Sequence, residues 1–200
     1  METDLSWSRS DERMQRMEET LAWRQPGLVL VLENVHDPHN LGAILRSADA
    51  VGVMHIMMVY YIESPPEINK TSASGALKWL NFERFRSIQS CYEELRKEGF
   101  QILATKIEPE AKELYEYDLT IPTAIVMGNE HRGISQEASE GADGLLYIPM
   151  KGMVESINVS VASAICLFEA MRQRKVKGMY DSPQLSEEIM RSELESWIKK

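Results

Sequence analysis

Cysteine is nearly missing from this chain of 200 residues, which has two, Cys91 and Cys166, set far apart. A disulfide scaffold is thereby excluded, and both thiols read as buried or incidental in a reducing compartment. Long apolar runs are missing as well. No stretch approaches the ~20 apolar residues that cross a bilayer. The acidic opening METDLSWSRSDERMQRMEE lacks the apolar core of a secretory signal. These absences lead us to expect a cytoplasmic protein with no membrane contact. Positive charge is in deficit too, since the formal net charge is −9. That argues against nucleic acid bound over the whole surface but leaves room for a local basic patch. Nucleotide fingerprints are absent. No G-x-G-x-x-G follows the first strand, and in the loop between Gly128 and Gly133 the lysine position of a P-loop is filled by Ile134. His36 and His39 have no cysteine or third histidine nearby, so no metal is expected there.

What is present suffices for one globular domain. Apolar residues make up 44% of the chain, and a chain of this length buries roughly 70% of its unfolded surface without a structural metal. Met14, Met17 and Leu21 recur at helical spacing in residues 11–24, and Gln25-Pro26-Gly27 ends that helix. LVLVLENV (28–35) is a continuous apolar run closing in polar residues, as a central strand covered on both faces would be. The loop HDPHN leads into a helix with the stripe Leu41, Ile44, Leu45 and Ala48, which stops at Gly52.

HIMMVYYI (55–62), LNFERF, FQILAT (100–105), TAIVMG (123–128) and LLYIP read as further strands. SPPEIN reads as a loop, and KTSASGALKWL stays unassigned. SIQSCYEELRKEG reads as a helix with Gly99 just past its end. KIEPEAKELYEYDLTIP reads as a solvated charged loop, ISQEASEG as a short helix, and SEEIMRSELESWIKK as a helix built on Ile189, Leu194, Trp197 and Ile198. Repeated β-α alternation with near-continuous apolar strands predicts an α/β fold with a mostly parallel sheet flanked by helices.

The segment LLYIPMKGMVESINVSVASAICLFEAMRQRK (145–175) organises the rest. Its strand breaks at Pro149, a glycine-containing loop follows, and a helix starts at about Ser156–Asn158. The first turns of that helix carry Ser160, Ala162, Ser163 and Ala164, small enough for close approach, and its last turn carries Arg172, Arg174 and Lys175. These cations suit either the helix dipole or phosphate contacts. Loops 34–46, 128–133 and 148–160 each follow the carboxyl end of a buried strand, where open α/β sheets bind ligands.

NVHDPHNLGAILRSADAVGV, IVMGNEHRGIS and IPMKGMVESINVSVASA together resemble, in order and spacing, the three motifs of the SpoU/TrmH family of SPOUT-class RNA 2′-O-ribose methyltransferases. The ending FEAMRQRKVKGMY is similar to the branch that acts on guanosine 18 in the D-loop of tRNA. The resemblance implies a C-terminal trefoil knot at about 125–175 within a domain spanning 27–180, flanked by a helical extension (1–26) and a helical tail (181–200). It implies a homodimer, with tRNA as partner and S-adenosylmethionine as cofactor. The cofactor-binding residues carried over are Thr105, Gly128, Ile148, Met150 and Val159, and the catalytic ones are Arg46, Asn40, Glu130, Ser156 and Asn158. A guanidinium stays charged in proteins, so Arg46 is read as binding a phosphate or the developing alkoxide rather than as a base. The expected RNA-binding residues are His39, Arg132, Lys151, Arg172, Arg174 and Lys175, extended by Lys177. Two other readings stay open: a ribose methyltransferase acting on rRNA or another tRNA site, and a non-catalytic RNA-binding dimer.

Overall fold

β1 (Leu28–Glu33) is buried at every position. A strand apolar on both faces must be covered on both. The computed structural model, which describes residues 5–62, 64–66 and 75–200, sets it inside a seven-stranded sheet. The other strands are β2 (His55–Val59), β3 (Asn81–Phe85), β4 (Gln101–Thr105), β5 (Lys112–Glu113), β6 (Thr123–Met127) and β7 (Gly144–Tyr147). Their order is β3-β2-β1-β6-β4-β7-β5, and every pairing is parallel. All carboxyl ends therefore lie along one edge.

Side-chain alternation divides the core into two layers. Leu28, Leu30 and Leu32 pack with Leu41, Ile44 and Leu45 of α2 (Pro38–Ala50) and with Cys166, Leu167 and Ala170 of α5 (Val159–Val176). Val29 and Val31 face the opposite layer, with Ile88, Cys91 and Leu95 of α3 (Ile88–Lys97) and Ala138 of α4 (Gln136–Gly141). A third cluster joins Met17 and Leu21 of α1 (Leu5–Ala22) to Trp197 of α6 (Glu187–Ile198), so the first and last helices pack together.

Several expectations change. α2 begins at Pro38, because Asp37 caps it by accepting from the amides of His39 (2.7 Å) and Asn40 (3.0 Å). The Asn40 amide above all, with that of His39, holds the Asp37 carboxyl below its ordinary range against the opposing effect of burial. The charged loop at 106–122 conceals the two-residue strand β5 and sends Leu114 and Leu119 fully into the core. In α6 the buried face is Met190, Leu194 and Trp197, while Ile189 and Ile198 point outward. The reading of SPPEIN falls partly on residues 67–69, and the unassigned stretch 70–80 partly on 70–74; both parts lie outside the described residues.

Arg174 is the clearest correction. It was expected on an RNA surface, but it is 1% exposed. Its Nε donates to the carbonyl of Leu119 (2.9 Å), and its Nη2 donates to those of Gly27 (2.6 Å) and Ile121 (3.0 Å). One guanidinium thus ties the end of α5 to the chain entering β1 and β6. Burial pulls its proton affinity down, yet an arginine stays charged. Arg174→Ala would strand buried carbonyls and lower the unfolding free energy by about 3–5 kcal/mol. Urea unfolding checks this, and an unchanged midpoint would refute the tie.

Candidate active site

The carboxyl edge of β1, β4, β6 and β7 gathers the three loops that stood out in the sequence. The loop after β6 folds back on itself: Asn129 and Gly133 exchange main-chain hydrogen bonds at 3.0 and 2.9 Å. Gly133 takes a φ of 67°, which favours glycine. Gly128 lies so close beneath this turn that a Cβ on it would run into the main chain of Gly133 and Ile134. The Asn129 side chain closes the turn by accepting from the amides of His131 (3.0 Å) and Arg132 (3.1 Å).

Glu130, at the tip, joins two motifs. Its Oε2 accepts from the His36 amide (3.0 Å), and its Oε1 accepts from the Asp37 amide (3.0 Å) and the Asn40 side chain (3.1 Å). Burial presses the Glu130 carboxyl upward, but these donors outweigh burial and hold it below its ordinary range. Asn158, the N-cap of α5, extends the chain of bonds. Its Nδ2 donates to Asn40 Oδ1 (3.0 Å), and its Oδ1 accepts from the amide (2.8 Å) and hydroxyl (2.6 Å) of Ser160. An amide that only donates stands at one end and a carboxylate that only accepts at the other. The orientation of both asparagines is thereby fixed.

Beside this relay lies a cavity of about 390 Å³. All five residues expected to bind cofactor line it: Thr105, Gly128, Ile148, Met150 and Val159. Glu130, Ser156 and Arg132 line it too, and the run 127–134 forms one wall, with only main chain to offer at Gly128 and Gly133. Thr105 is held by its hydroxyl donating to the Val126 carbonyl (2.9 Å). The wall contributed by Leu146, Ile148, Met150, Val159 and Ala162 is apolar. Asn40 and Asn158 join the cavity through Glu130.

Arg46 lies six residues beyond Asn40 on α2, exposed and without a hydrogen-bond or ion-pair partner among the described residues. Glu130 does not pair with it, because that carboxylate is taken by amides. His39, next to Asn40, and Lys151, next to the cavity-lining Met150, are exposed. Arg172 grips Glu169 through two bonds of 2.8 Å. Lys175 and Lys177 are exposed at the far end of α5, roughly 24 Å from Val159 at 1.5 Å per residue. The expected basic surface is therefore split within one chain between opposite edges of the sheet. Lys106 and His131, not expected at the site, also line the cavity. Lys106 pairs with Glu108 at 2.6 Å, so it lay hidden in what looked like a solvated charged loop.

Known proteins resemble this chain over most of its length. The model of the SpoU rRNA Methylase family matches residues 27–168. The tRNA (guanosine(18)-2′-O)-methyltransferase of Thermus thermophilus is 45% identical over 96% of this chain and 98% of its own. A crystal structure of the Aquifex aeolicus TrmH/SpoU tRNA modifying enzyme superposes with a TM-score of 0.89 at 41% identity, covering 94% of this chain and 96% of that one. The SpoU methyltransferase AviRb of Streptomyces viridochromogenes, solved in complex with the cofactor AdoMet, gives a TM-score of 0.65 at 28% identity over 78% of this chain and 62% of that one.

The lowered affinity of Glu130 for a proton has a signed consequence. A carboxyl whose folded value lies below its unfolded one, about 4.3, stabilises the fold above that value and loses the effect as pH falls through the folded one. Wild type should therefore melt above Glu130→Gln at pH 7, and the gap should persist to about pH 4.3 and close below it. Melting temperatures across pH test this, and a gap independent of pH would refute it.

Proposed function

The chain belongs to the SpoU methylase family, and from that premise we propose that it transfers a methyl group from S-adenosylmethionine to the ribose 2′-oxygen of guanosine 18 in tRNA. The observation that carries this reading is the 390 Å³ cavity with a main-chain rim and an apolar wall, adjoining the Glu130–Asn40–Asn158 relay. The cavity fits the cofactor chemically. Ile148, Met150 and Val159 suit a flat adenine, and the rim supplies amides and carbonyls for polar groups. When bound, S-adenosylmethionine supplies a methyl group activated by its sulfonium.

A ribose hydroxyl is scarcely ionised at neutral pH, so the residues present must orient it and ease its deprotonation. Glu130 is poorly suited to be the base, because its oxygens are occupied and its proton affinity is low. Its work is to hold the start of α2 and to align Asn40. Arg46 has its charge free of any described partner, which suits a substrate phosphate or the developing alkoxide. Relatives that match nearly the whole chain carry the guanosine-18 name, which favours tRNA over rRNA.

The crossing from β7 back to α5, which packs on α2, supports reading 125–175 as the trefoil knot of this family. The flanking helices then make an extension before residue 27 and a tail after 180, and tRNA as substrate puts the protein in the cytoplasm. α5 also leaves Val161, Phe168 and Val176 exposed on one side, near the exposed Met153 and Val154. We assign a second copy of the chain to that apolar face. A dimer would also bring one subunit's Lys175 and Lys177 to RNA held at the other's His39, Arg132 and Lys151.

Labelled S-adenosylmethionine with unmodified tRNA transcript tests the reaction. Label is expected on the ribose of guanosine 18, and Arg46→Ala should cut turnover roughly 100-fold or more while cofactor affinity changes little. Label on another nucleotide would overturn the substrate, and unchanged turnover in the variant would overturn the role of Arg46. Light scattering should give twice the 22.9 kDa chain mass. Val161→Glu with Phe168→Glu should give the single chain, and a dimer that survives would move the interface elsewhere.

A further inference from the structure

Glu33 closes a strand that is otherwise all apolar, and it is 1% exposed. A buried carboxylate normally has a cation beside it, because unpaired burial is costly. Glu33 has no ion-pair partner among the described residues. It holds two neutral donors instead: the Tyr61 hydroxyl on Oε1 at 2.5 Å and the Ser135 amide on Oε2 at 2.9 Å. Tyr61 lies just beyond β2. Ser135 ends the loop that rims the cavity and caps α4 through its hydroxyl, which accepts from the Ala138 amide at 3.0 Å.

The neighbouring bonds follow the same direction. Asn34, at a φ of 50°, accepts from the Tyr61 amide (3.2 Å) through its side chain. Its carbonyl accepts from the Asn129 side chain at 2.8 Å. The rim loop is therefore fastened at its start by Asn34, at its tip by Glu130 and at its end by Glu33. A leucine at 33 would continue the strand but could hold neither donor. A side chain with two polar atoms can hold both loops at once, and here the two carboxylate oxygens do so.

We infer that Glu33 is a positioning residue for the methyl-transfer site, latching the 129–135 loop to the end of the central strand so that its main chain presents a fixed wall to the cofactor. Glu33 touches neither the cavity nor the relay. It acts through Ser135 and the loop, with Tyr61 bracing its other oxygen. Glutamine can replace it, since its carbonyl can accept from Ser135 and its amide can donate to the Tyr61 oxygen. Alanine cannot.

The test compares Glu33→Ala, Glu33→Gln and Tyr61→Phe in the full chain by calorimetric titration of S-adenosylmethionine and by amide hydrogen exchange. Leu185→Ala serves as the control, because it opens the remote α1–α6 cluster and costs stability without touching the loop. Glu33→Ala should weaken cofactor binding at least tenfold and speed exchange at Ser135 by a similar factor. Glu33→Gln should stay within about threefold of wild type. Tyr61→Phe, which keeps the fold should the alanine variant fail to form it, should fall between the two. Equal weakening in the Leu185→Ala control would make the role merely structural and overturn the latch, as would unchanged Ser135 exchange in both Glu33→Ala and Tyr61→Phe. The cofactor readout rests on the proposed methyltransferase reading, whereas the exchange readout does not. A wild-type chain that fails to bind the cofactor would count against that reading and leave the latch to be judged by exchange.

Discussion

The site depends on carboxylates that accept main-chain amides from separate loops. Glu130 draws His36 and Asp37 to the tip of the loop after β6, and Glu33 holds the same loop at its far end. Hydrogen bonds to a charged acceptor are about twice as strong as neutral ones, and these lie at the edge of a rigid parallel sheet. The loops set Val35 and Ile134 into the core, and these acceptors join one loop to another. The acidic balance of the chain thus serves in part as internal fastening. It does not describe a uniformly negative surface, since Arg46, Arg132, His39 and Lys151 are all exposed.

Much of the fold was legible in the sequence because it rests on periodicity. The buried runs at 28–33 and 123–127 are continuous, and a parallel strand covered on both faces produces that pattern. Every residue of the stripe Leu41, Ile44, Leu45 and Ala48 is buried on α2, where Gly42 joins them. β5 was illegible because two residues carry no period, and Leu114 and Leu119 enter the core from irregular backbone among charges. The start of α2 was misjudged by three residues because His-Asp-Pro-His reads as a turn until Asp37 is seen to cap it.

The candidate site was legible to a different degree. Motif resemblance named residues that the fold then gathers around one cavity, although composition alone would not have picked Thr105 from its strand or Val159 from its helix. Charge was the less reliable signal. Arg174 and Lys175 are neighbours in a basic run, yet one is buried on carbonyls and the other is exposed. The sequence lists cations, whereas burial decides which of them can meet a phosphate. Glu33 was passed over for the same reason, since a strand ending in an acid looks like a strand reaching solvent.

The turn from Gly128 to Gly133 divides one short segment between two kinds of recognition. Its backbone is packed so tightly that position 128 admits no side chain, and its residues border the cavity. The side chains of His131 and Arg132 are exposed. The side chains at 131 and 132 therefore border both the cavity and the solvent, while the glycines and the anchoring acids hold the turn that carries them. A change at either position would be felt by a small molecule in the pocket and by a macromolecular partner outside it, so the two kinds of recognition are tied together at these residues.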